Sequence, residues 1–233
     1  MLSKDGEAFL SVYKDYALAN RIYGSSHLDD LPVHYDLNGI GIVILASGKG
    51  RRFEENKLLY EINGHPMIGY VLKTLLPIKE VCVISTIHRE IQEIGEGLGY
   101  RIALHEEESL SDSIRYGLSL MEKDSAVIFV QADQPLLGLG SIMRLTEAYR
   151  KDPEAVWRLA WGDKKASPVL FPPKYFGKLQ ELEGEEGGSA LFKKEKDIRI
   201  ETVEALFPWE IWDVDKKEDL PHFEDLIRYL GKE

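Results

Sequence analysis

The chain has 233 residues, 44% of them hydrophobic and 30% charged, which is typical of one large globular domain and excludes a disordered protein. Its 40 acidic and 29 basic side chains give a net charge of −11, which repels nucleic acid and leaves any phosphate ligand to a local basic site. The single cysteine, Cys82, excludes an internal disulfide and a thiolate metal cluster.

No stretch of the sequence is long and apolar enough to cross a membrane. The longest apolar run, Ile40 to Ala46, falls short of the roughly 20 residues that a spanning helix needs. No basic segment followed by a long apolar run opens the sequence, so no secretory signal is indicated. We therefore expect a cytoplasmic protein with neither a membrane nor a nucleic acid as partner.

The first 38 residues differ in pattern from the rest of the chain. Apolar residues recur at helical spacing between Lys4 and Tyr23, and the segment from Gly24 to Asn38 interrupts that pattern. We predict a helical extension over residues 1–38, packed on the main domain or on a partner, and a main domain over residues 39–233.

From Gly39 onwards, predicted strands and helices alternate along the chain. The first strands are Gly39–Ala46, Val81–Ser85, Arg101–Leu104 and Ala126–Gln131, and the helices between and after them are Pro66–Leu76, Arg89–Leu98, Ser111–Met121 and Leu139–Arg150. The later third predicts the strand pair Ala155–Trp161 and Ser167–Phe171, helical Tyr175–Leu182, strand Ile198–Val203 and a final helix over Lys216–Leu230. This alternation predicts an α/β fold with a doubly wound, mostly parallel sheet, whose ligands bind at the carboxyl ends of strands.

A glycine-rich basic loop follows the first predicted strand and reads LASGKGRRFEENK from Leu45 to Lys57. Glycine lets backbone N–H groups approach an anion closely, so the loop is a candidate cradle for a polyphosphate, although a solvated turn would look similar. Phe53 stands where a dinucleotide-binding loop needs its third glycine. Leu58 after Lys57 stands where a Walker A loop needs Ser or Thr. Both of these common phosphate loops are therefore excluded.

The loop and five later segments together resemble the molybdenum cofactor cytidylyltransferase family. The matching segments occur in family order and are LASGKGRRF…NKLL, NGHPMIGYVL, QADQPLL, SPVLF, EGEEGG and DVDKKEDL. The resemblance covers most of the chain from Gly39 to Tyr229. It implies a Rossmann-like, three-layer nucleotide-diphospho-sugar transferase fold and a nucleotidyltransferase activity.

Carboxylates at strand ends are candidate metal ligands. Asp133 follows a predicted core strand, and Asp213 and Asp215 alternate with Val214, which puts both carboxylates on one face if the segment is extended. A turn role for Asp133, a solvated turn for Asp213 and a helix cap at Asp215 remain open as alternatives. The resemblance implies Mg²⁺ held by Asp133 and by Asp215, or else Asp213, and Mg²⁺ suits a site of one or two carboxylates plus substrate phosphates.

The resemblance also implies roles for residues outside the carboxylates. It implies catalytic roles for Arg52, Lys57 and Asp133, and nucleotide contacts from Leu45, Ala46, Ser47, Gly48, Gly50, Lys57, Ser111, Ser113, Arg115 and Asp133. Taken alone, Ser111 would read as a simple helix N-cap. The segments SPVLF and EGEEGG resemble those that line the acceptor side in the family.

The chain departs from the family pattern at a few positions. Glu54 replaces a glycine beside the phosphate cradle, and we predict that it points outward towards Lys49 and Arg51; the alternative is an inward metal ligand. Glu185 replaces Asp and Ser189 replaces Arg in EGEEGGS, and Lys216-Lys217 stands where Thr-Pro is common. Residues 1–38 have no recognised counterpart.

The function predicted from these features is a Mg²⁺-dependent transfer of a nucleoside monophosphate from a triphosphate to a phosphate-bearing acceptor, with release of pyrophosphate. By resemblance, CMP is the favoured group, GMP is possible, molybdopterin is the acceptor, and a molybdoenzyme or maturation factor is a possible partner. The alternatives are a non-catalytic nucleotide- or cofactor-binding protein on the same fold, and a nucleotidyltransferase for another phosphorylated acceptor.

Overall fold

The structure, a computed structural model, describes residues 35–48 and 56–230. Seven of the described strands form one sheet, in the order β5-β4-β1-β6-β8-β7-β9. These strands are β1 (Ile40–Leu45), β4 (Cys82–Thr86), β5 (Arg101–Leu104), β6 (Ala126–Gln131), β7 (Val156–Trp161), β8 (Lys164–Phe171) and β9 (Ile200–Glu204). Within this sheet β8 runs antiparallel to its neighbours β6 and β7, whereas the other pairs are parallel.

Helices connect most of these strands. Their bounds are α1 (Met67–Leu75), α2 (Arg89–Gly97), α3 (Leu110–Ser119), α4 (Leu139–Lys151), α5 (Phe176–Gln180), α6 (Leu191–Lys194) and α7 (Leu220–Tyr229). None of the described helices is long and apolar enough to span a lipid bilayer. The predicted α/β fold with a mostly parallel sheet is confirmed.

Several predicted boundaries were wrong by a few residues. Strand β8 begins at Lys164, because it pairs with β7 across the tight turn at Gly162. The last helix begins at Leu220 and not at Lys216, since a separate 3-10 turn, Lys217–Asp219, precedes it. The helical segment predicted to reach Leu182 ends at Gln180.

A short hairpin between β1 and α1 was absent from the sequence-based prediction. Strands β2 (Glu61–Ile62) and β3 (His65–Pro66) pair antiparallel around Asn63 and Gly64. Both turn residues have left-handed backbone angles, with φ of 50° and 79°, as the commonest two-residue hairpin turn requires. The hairpin follows directly on the turn that carries Lys57.

The central strand β1 is enclosed by protein. Ile42, Val43 and Ile44 have no exposed surface, as expected of a strand buried on both faces of a parallel sheet. Helix α3 packs closely on β1 because it has a glycine at the contact: a Cβ at Gly117 would lie 2.4 Å from Cγ1 of Val43. Cys82, on the neighbouring strand β4, is also fully buried, and burial raises the pKa of its thiol to about 12.

Some of the predictions fall on residues that the structure does not describe. These are the helix and most of the connecting segment of the 1–38 extension, the roles given to Gly50 and Arg52, and the orientation given to Glu54. The division of the chain at residues 38 and 39 likewise stays a prediction.

Candidate functional site

The candidate site lies where strands β1 and β6 end side by side. The two strands pair in parallel from Ile40 and Ala126 up to Leu45 and Gln131, so both finish at the same level of the sheet. The backbone N–H of Ala132 then donates to the carbonyl of Leu45 at 3.2 Å. The glycine-rich loop and Asp133 therefore emerge next to each other.

Lys57 and Asp133 form an ion pair at this point. Nζ of Lys57 lies 2.5 Å from Oδ2 of Asp133 and also donates to the carbonyl of Val214 at 3.1 Å. The N–H of Val214 donates to the carbonyl of Asp133 at 3.0 Å. Three segments that are far apart in the sequence thus meet around one lysine and one carboxylate.

The second oxygen of Asp133 has no partner in the described part of the chain. Its Oδ1 atom is buried from solvent and accepts no hydrogen bond there. A buried carboxylate oxygen without a partner is costly, and a cation bound at that oxygen would relieve the cost. The environment of Asp133 therefore fits a divalent metal ligand.

Asp213 and Asp215 flank the buried Val214 and stand next to the ion pair. The Asp213 carboxyl group is exposed along a pocket, yet surrounding protein atoms desolvate it and the negative charges of Asp133 and Asp215 face it, so its pKa is raised. The N–H of Asp215 donates to the carboxylate of Asp219, which also accepts from Lys216. Asp215 therefore does not cap the last helix, and the capping alternative for it was wrong.

The described residues offer too few ligands to hold a metal ion without help. Across 35–48 and 56–230, no three or more His, Cys, Asp or Glu side chains are grouped so as to do so. Mg²⁺ in proteins commonly takes one or two carboxylates and completes its shell with phosphates and water. Asp133 with Asp213 or Asp215 is such a set.

A pocket of about 390 Å³ adjoins the carboxylates. Its lining combines aromatic side chains with acidic and basic ones. The lining residues are Lys164, Trp212, Asp213, Asp215, Glu218, Asp219, His222 and Phe223. The ring of His222 lies 5.5 Å from that of Trp212. The pocket provides room for a second reactant beside the ion pair.

The start of the glycine-rich loop is held by side chains from β4 and from the residue after β5. The Thr86 hydroxyl donates to the carbonyl of Ala46 at 2.9 Å. Oγ of Ser47 lies 3.2 Å from Nε2 of His105, and both side chains are buried. This contact was absent from the sequence-based prediction, because nothing in a single sequence pairs His105 with Ser47.

The side chains of Ser111, Ser113 and Arg115 all contact other groups of the protein. The two serine side chains are buried in α3, where Oγ of Ser111 lies 3.0 Å from Oγ of Ser109 and the Ser113 hydroxyl donates to the Ser109 carbonyl. The helix cap is Ser109, which accepts from the N–H of Asp112, so the cap alternative for Ser111 was wrong.

The guanidinium of Arg115 pairs with Asp112 and donates to the carbonyls of Gln180 and Leu182. Arg115 thereby links α3 to the end of α5 and to the residues just after it. Nucleotide contacts by Ser111, Ser113 and Arg115 stay predictions.

The two segments predicted to line the acceptor side touch each other. A Cβ at Gly188 would lie 2.8 Å from ring atoms of Phe171, so EGEEGG packs its last glycine on the end of SPVLF.

A side chain missed from the sequence also belongs to the site. Asn56 precedes Lys57, and its Oδ1 accepts a hydrogen bond from the N–H of Leu58. Its Nδ2 is buried and has no partner among the described residues.

Comparison with known proteins identifies the family. The family described as "MobA-like NTP transferase domain" matches residues 42–199, which is more than half of the chain. The chain belongs to this family. It is therefore a nucleotidyltransferase-family protein, as its resemblance to the molybdenum cofactor enzymes implies.

Curated relatives align over most of this MobA-like chain. A "Probable molybdenum cofactor guanylyltransferase" from Pyrococcus horikoshii is 29% identical over 190 residues, which are 76% of this chain and 95% of the relative. The "Purine catabolism protein PucB" of Bacillus subtilis is 28% identical over 200 residues, 80% of this chain and 94% of its own.

Solved structures share the fold. A nucleotidyl transferase from Methanothermobacter thermautotroptrophicus superposes with a TM-score of 0.69 at 23% identity, over 83% of this chain and 99% of its own. Rv0371c from Mycobacterium tuberculosis H37Rv, solved as a complex with manganese, superposes with a TM-score of 0.64 at 18% identity, over 80% and 98%. The nucleotidyltransferase type of α/β fold is thus shown.

Proposed function

We propose that the protein transfers a nucleoside monophosphate from a nucleoside triphosphate to a phosphate-bearing acceptor, molybdopterin, and releases pyrophosphate. The observation that carries the proposal is the Lys57–Asp133 pair at the ends of β1 and β6, with its unpartnered carboxylate oxygen. A lysine for phosphate charge and a carboxylate for a metal are the two groups that this reaction needs most.

The metal that we propose is Mg²⁺. Asp133 would hold it, together with Asp215 or Asp213. When bound, it supplies positive charge to the phosphate oxygens around the reacting phosphorus. The manganese in the solved structure of a fold neighbour supports a divalent cation in general.

The chain's own residues then act by binding and orientation. An oxygen of the acceptor phosphate forms a bond to the α-phosphorus, and the bond from that phosphorus to the bridging oxygen of the β-phosphate breaks, so pyrophosphate leaves with the electron pair. Lys57 places positive charge on the triphosphate, and Ser47 and Gly48 begin the loop that cradles it. By resemblance, Arg52 and Gly50 complete that cradle. No covalent enzyme intermediate is needed, because such transfers depend on positioning and charge stabilisation.

Two lines of support point to different bases. The loop beginning LASG resembles the cytidylyltransferases and favours CTP, whereas the archaeal relative that aligns over 190 residues carries the name of a guanylyltransferase and favours GTP. The acceptor pocket of the proposal is the cavity beside Asp213 and Asp215, which has aromatic walls and includes the cation Lys164 in its lining.

The test is pyrophosphate release by the purified protein with Mg²⁺ and molybdopterin, with CTP, GTP, ATP and UTP supplied in turn. We expect release with CTP or GTP that requires both acceptor and metal. The test variant is Asp133→Asn. Its matched control is Asp163→Asn, which removes one carboxylate from an exposed turn. Binding of a triphosphate without any release, in the presence of acceptor and metal, would instead establish the non-catalytic binding protein.

A further inference from the structure

His105 has both ring nitrogens engaged at the carboxyl end of the sheet. Nδ1 lies 2.7 Å from the carbonyl oxygen of Glu107, and Nε2 lies 3.2 Å from Oγ of Ser47 and 3.3 Å from Oγ of Ser85. The ring is also stacked on Tyr116, with 4.8 Å between ring centroids. With 6% of its surface exposed, His105 has little freedom to turn towards a ligand.

The partners determine which nitrogen carries the proton. A carbonyl oxygen only accepts, so Nδ1 must donate to Glu107, and the neutral ring leaves Nε2 as an acceptor. The Ser85 hydroxyl lies 2.7 Å from the carbonyl of Ser113 and gives its proton there. The remaining donor is the Ser47 hydroxyl, which lies closer to Nε2 than to its other acceptor, the carbonyl of Ser85 at 3.4 Å.

Ser47 is the third residue of the LASG segment that opens the phosphate loop. The carbonyl of the neighbouring Ala46 accepts a hydrogen bond from Thr86. Ser47 comes next, and its side chain contacts His105, the residue that follows β5. A hydrogen bond to a buried, stacked ring restricts the Ser47 side chain to one orientation. The backbone amides that follow Ser47 are those that the proposed function assigns to the triphosphate.

We propose that neutral His105 is a positioning residue for the triphosphate, which it orders by accepting the hydrogen bond of Ser47. This inference rests on the proposed function and adds a control of nucleotide affinity by pH. Protonation would make Nε2 a donor, and the Ser47 hydroxyl would lose its acceptor and have to reorient.

The groups around His105 set the pH at which this happens. Desolvation lowers the pKa of His105, and the opposing influences are the Glu107 carbonyl and the carboxylates of Glu107 and Asp112. Asp112 is itself paired with Arg115, and Tyr116, the stacked neighbour, is uncharged at neutral pH. His105 is therefore neutral at pH 7 and becomes charged only in acid.

Two substitutions separate positioning from simple packing. In His105→Gln the side-chain amide reaches the place of Nε2 and offers Ser47 a carbonyl oxygen that does not titrate near neutrality. In His105→Asn the shorter amide keeps a donor for Glu107 and leaves Ser47 without its acceptor. The probe is GTP or CTP with Mg²⁺, and the readout is its dissociation constant at about pH 7.5 and about pH 5.5.

We expect His105→Asn to weaken triphosphate binding about tenfold at pH 7.5, and His105→Gln to stay within about threefold of wild type. Acidification should weaken binding to the wild-type protein more than binding to His105→Gln, because the phosphate titration of the nucleotide is common to both. The double variant Ser47→Ala/His105→Asn should bind no more weakly than Ser47→Ala alone, since both changes remove the same hydrogen bond.

The results that overturn the inference are distinct from those that overturn the proposed function. If wild type binds triphosphate but the two single changes add in the double variant, or His105→Gln binds as weakly as His105→Asn, the positioning role fails and the transferase survives. If the pH profile of His105→Gln matches that of wild type, the control of affinity by pH fails. If the wild-type protein binds no triphosphate at all, both fail together.

Discussion

The ammonium group of Lys57 lies 2.5 Å from a carboxylate oxygen of Asp133, so each neutralises the other in the free protein. Both side chains are largely buried, with 13% and 15% of their side-chain surface exposed. In the proposed reaction the lysine turns to the triphosphate and the carboxylate to the metal. Binding of the metal–nucleotide complex is then an exchange of ionic partners, which avoids leaving either charge unpaired in a buried place.

Lys57→Ala should lower turnover by at least about 100-fold, because electrostatic groups at such sites commonly contribute a few kcal/mol to transition-state stabilisation. Pyrophosphate release measures the effect. Lys165→Ala, which removes one exposed lysine from β8, is the charge-matched control and should leave turnover within about twofold of wild type. Near-wild-type turnover in Lys57→Ala would remove the lysine from the proposed mechanism.

Asp133→Asn should abolish the Mg²⁺-supported activity. The amide keeps the shape of the side chain but takes away the anionic ligand at the buried Oδ1 position. Thermal unfolding provides the measurement: Mg²⁺ with triphosphate should raise the Tm of wild type and of Asp163→Asn, and have little effect on Asp133→Asn. Equal stabilisation of all three proteins would show that the metal binds elsewhere.

Asp213→Asn should stabilise the metal-free protein. Desolvation and the charges of Asp133 and Asp215 raise the pKa of Asp213, so the folded state disfavours its ionised form and stability rises as pH falls through that raised pKa. The neutral amide gains the same relief at pH 7. We expect a higher Tm in EDTA and a smaller gain of Tm on adding Mg²⁺ and triphosphate; a lower Tm in EDTA would contradict the electrostatic explanation.

The protein should lose stability between about pH 7.5 and pH 5.5, in part through His105. Burial lowers its pKa below the ordinary value of 6.5, so the unfolded chain takes up a proton that the folded one does not. The contribution of His105 to stability is complete above that ordinary value and falls as pH drops towards the lowered one. Tm should therefore fall less on acidification in His105→Gln than in wild type, while His65→Gln, at an exposed position, should follow wild type.

Gly117→Ala should destabilise the fold by about 1–3 kcal/mol, the usual cost of overpacking, because its new methyl group would lie 2.4 Å from Cγ1 of Val43. Gly97→Ala is the matched control, since that glycine ends α2 with open space where the methyl group would go. Denaturant unfolding compares the two. A neutral Gly117→Ala would mean that α3 moves away from β1 without cost.

The sequence was informative where local pattern and burial coincide. The apolar runs of β1 and β6 predict buried parallel strands, and the rule that ligands bind at strand ends directs attention to Ser47 and Asp133. The hairpin β2–β3 shows a signal that was present and overlooked: Asn63-Gly64 is the preferred pair for a two-residue hairpin turn. Its strands are only two residues long, too short for a visible alternation.

Other features of the site have no local signature. His105 and Ser47 are 58 positions apart, and their hydrogen bond depends on how β1, β4 and β5 lie side by side. The resemblance implies a nucleotide contact for Arg115, but it does not show that the guanidinium also contacts Asp112 and the carbonyls of Gln180 and Leu182. Tertiary contacts of this kind decide what a charged side chain does, and one sequence does not contain them in readable form.

The buried thiol of Cys82 makes the opening of the sheet measurable as a rate of thiol modification. A thiol reagent in solution reaches Cys82 only while β4 has come away from its neighbours, so the rate of modification counts how often the middle of the sheet opens. The same strand carries Ser85 and Thr86, whose side chains reach His105 and the start of the glycine-rich loop. Because this is the chain's one cysteine, the count needs no engineered label. A ligand that binds that loop only in the closed state would slow the modification of Cys82, and tighter binding would slow it more.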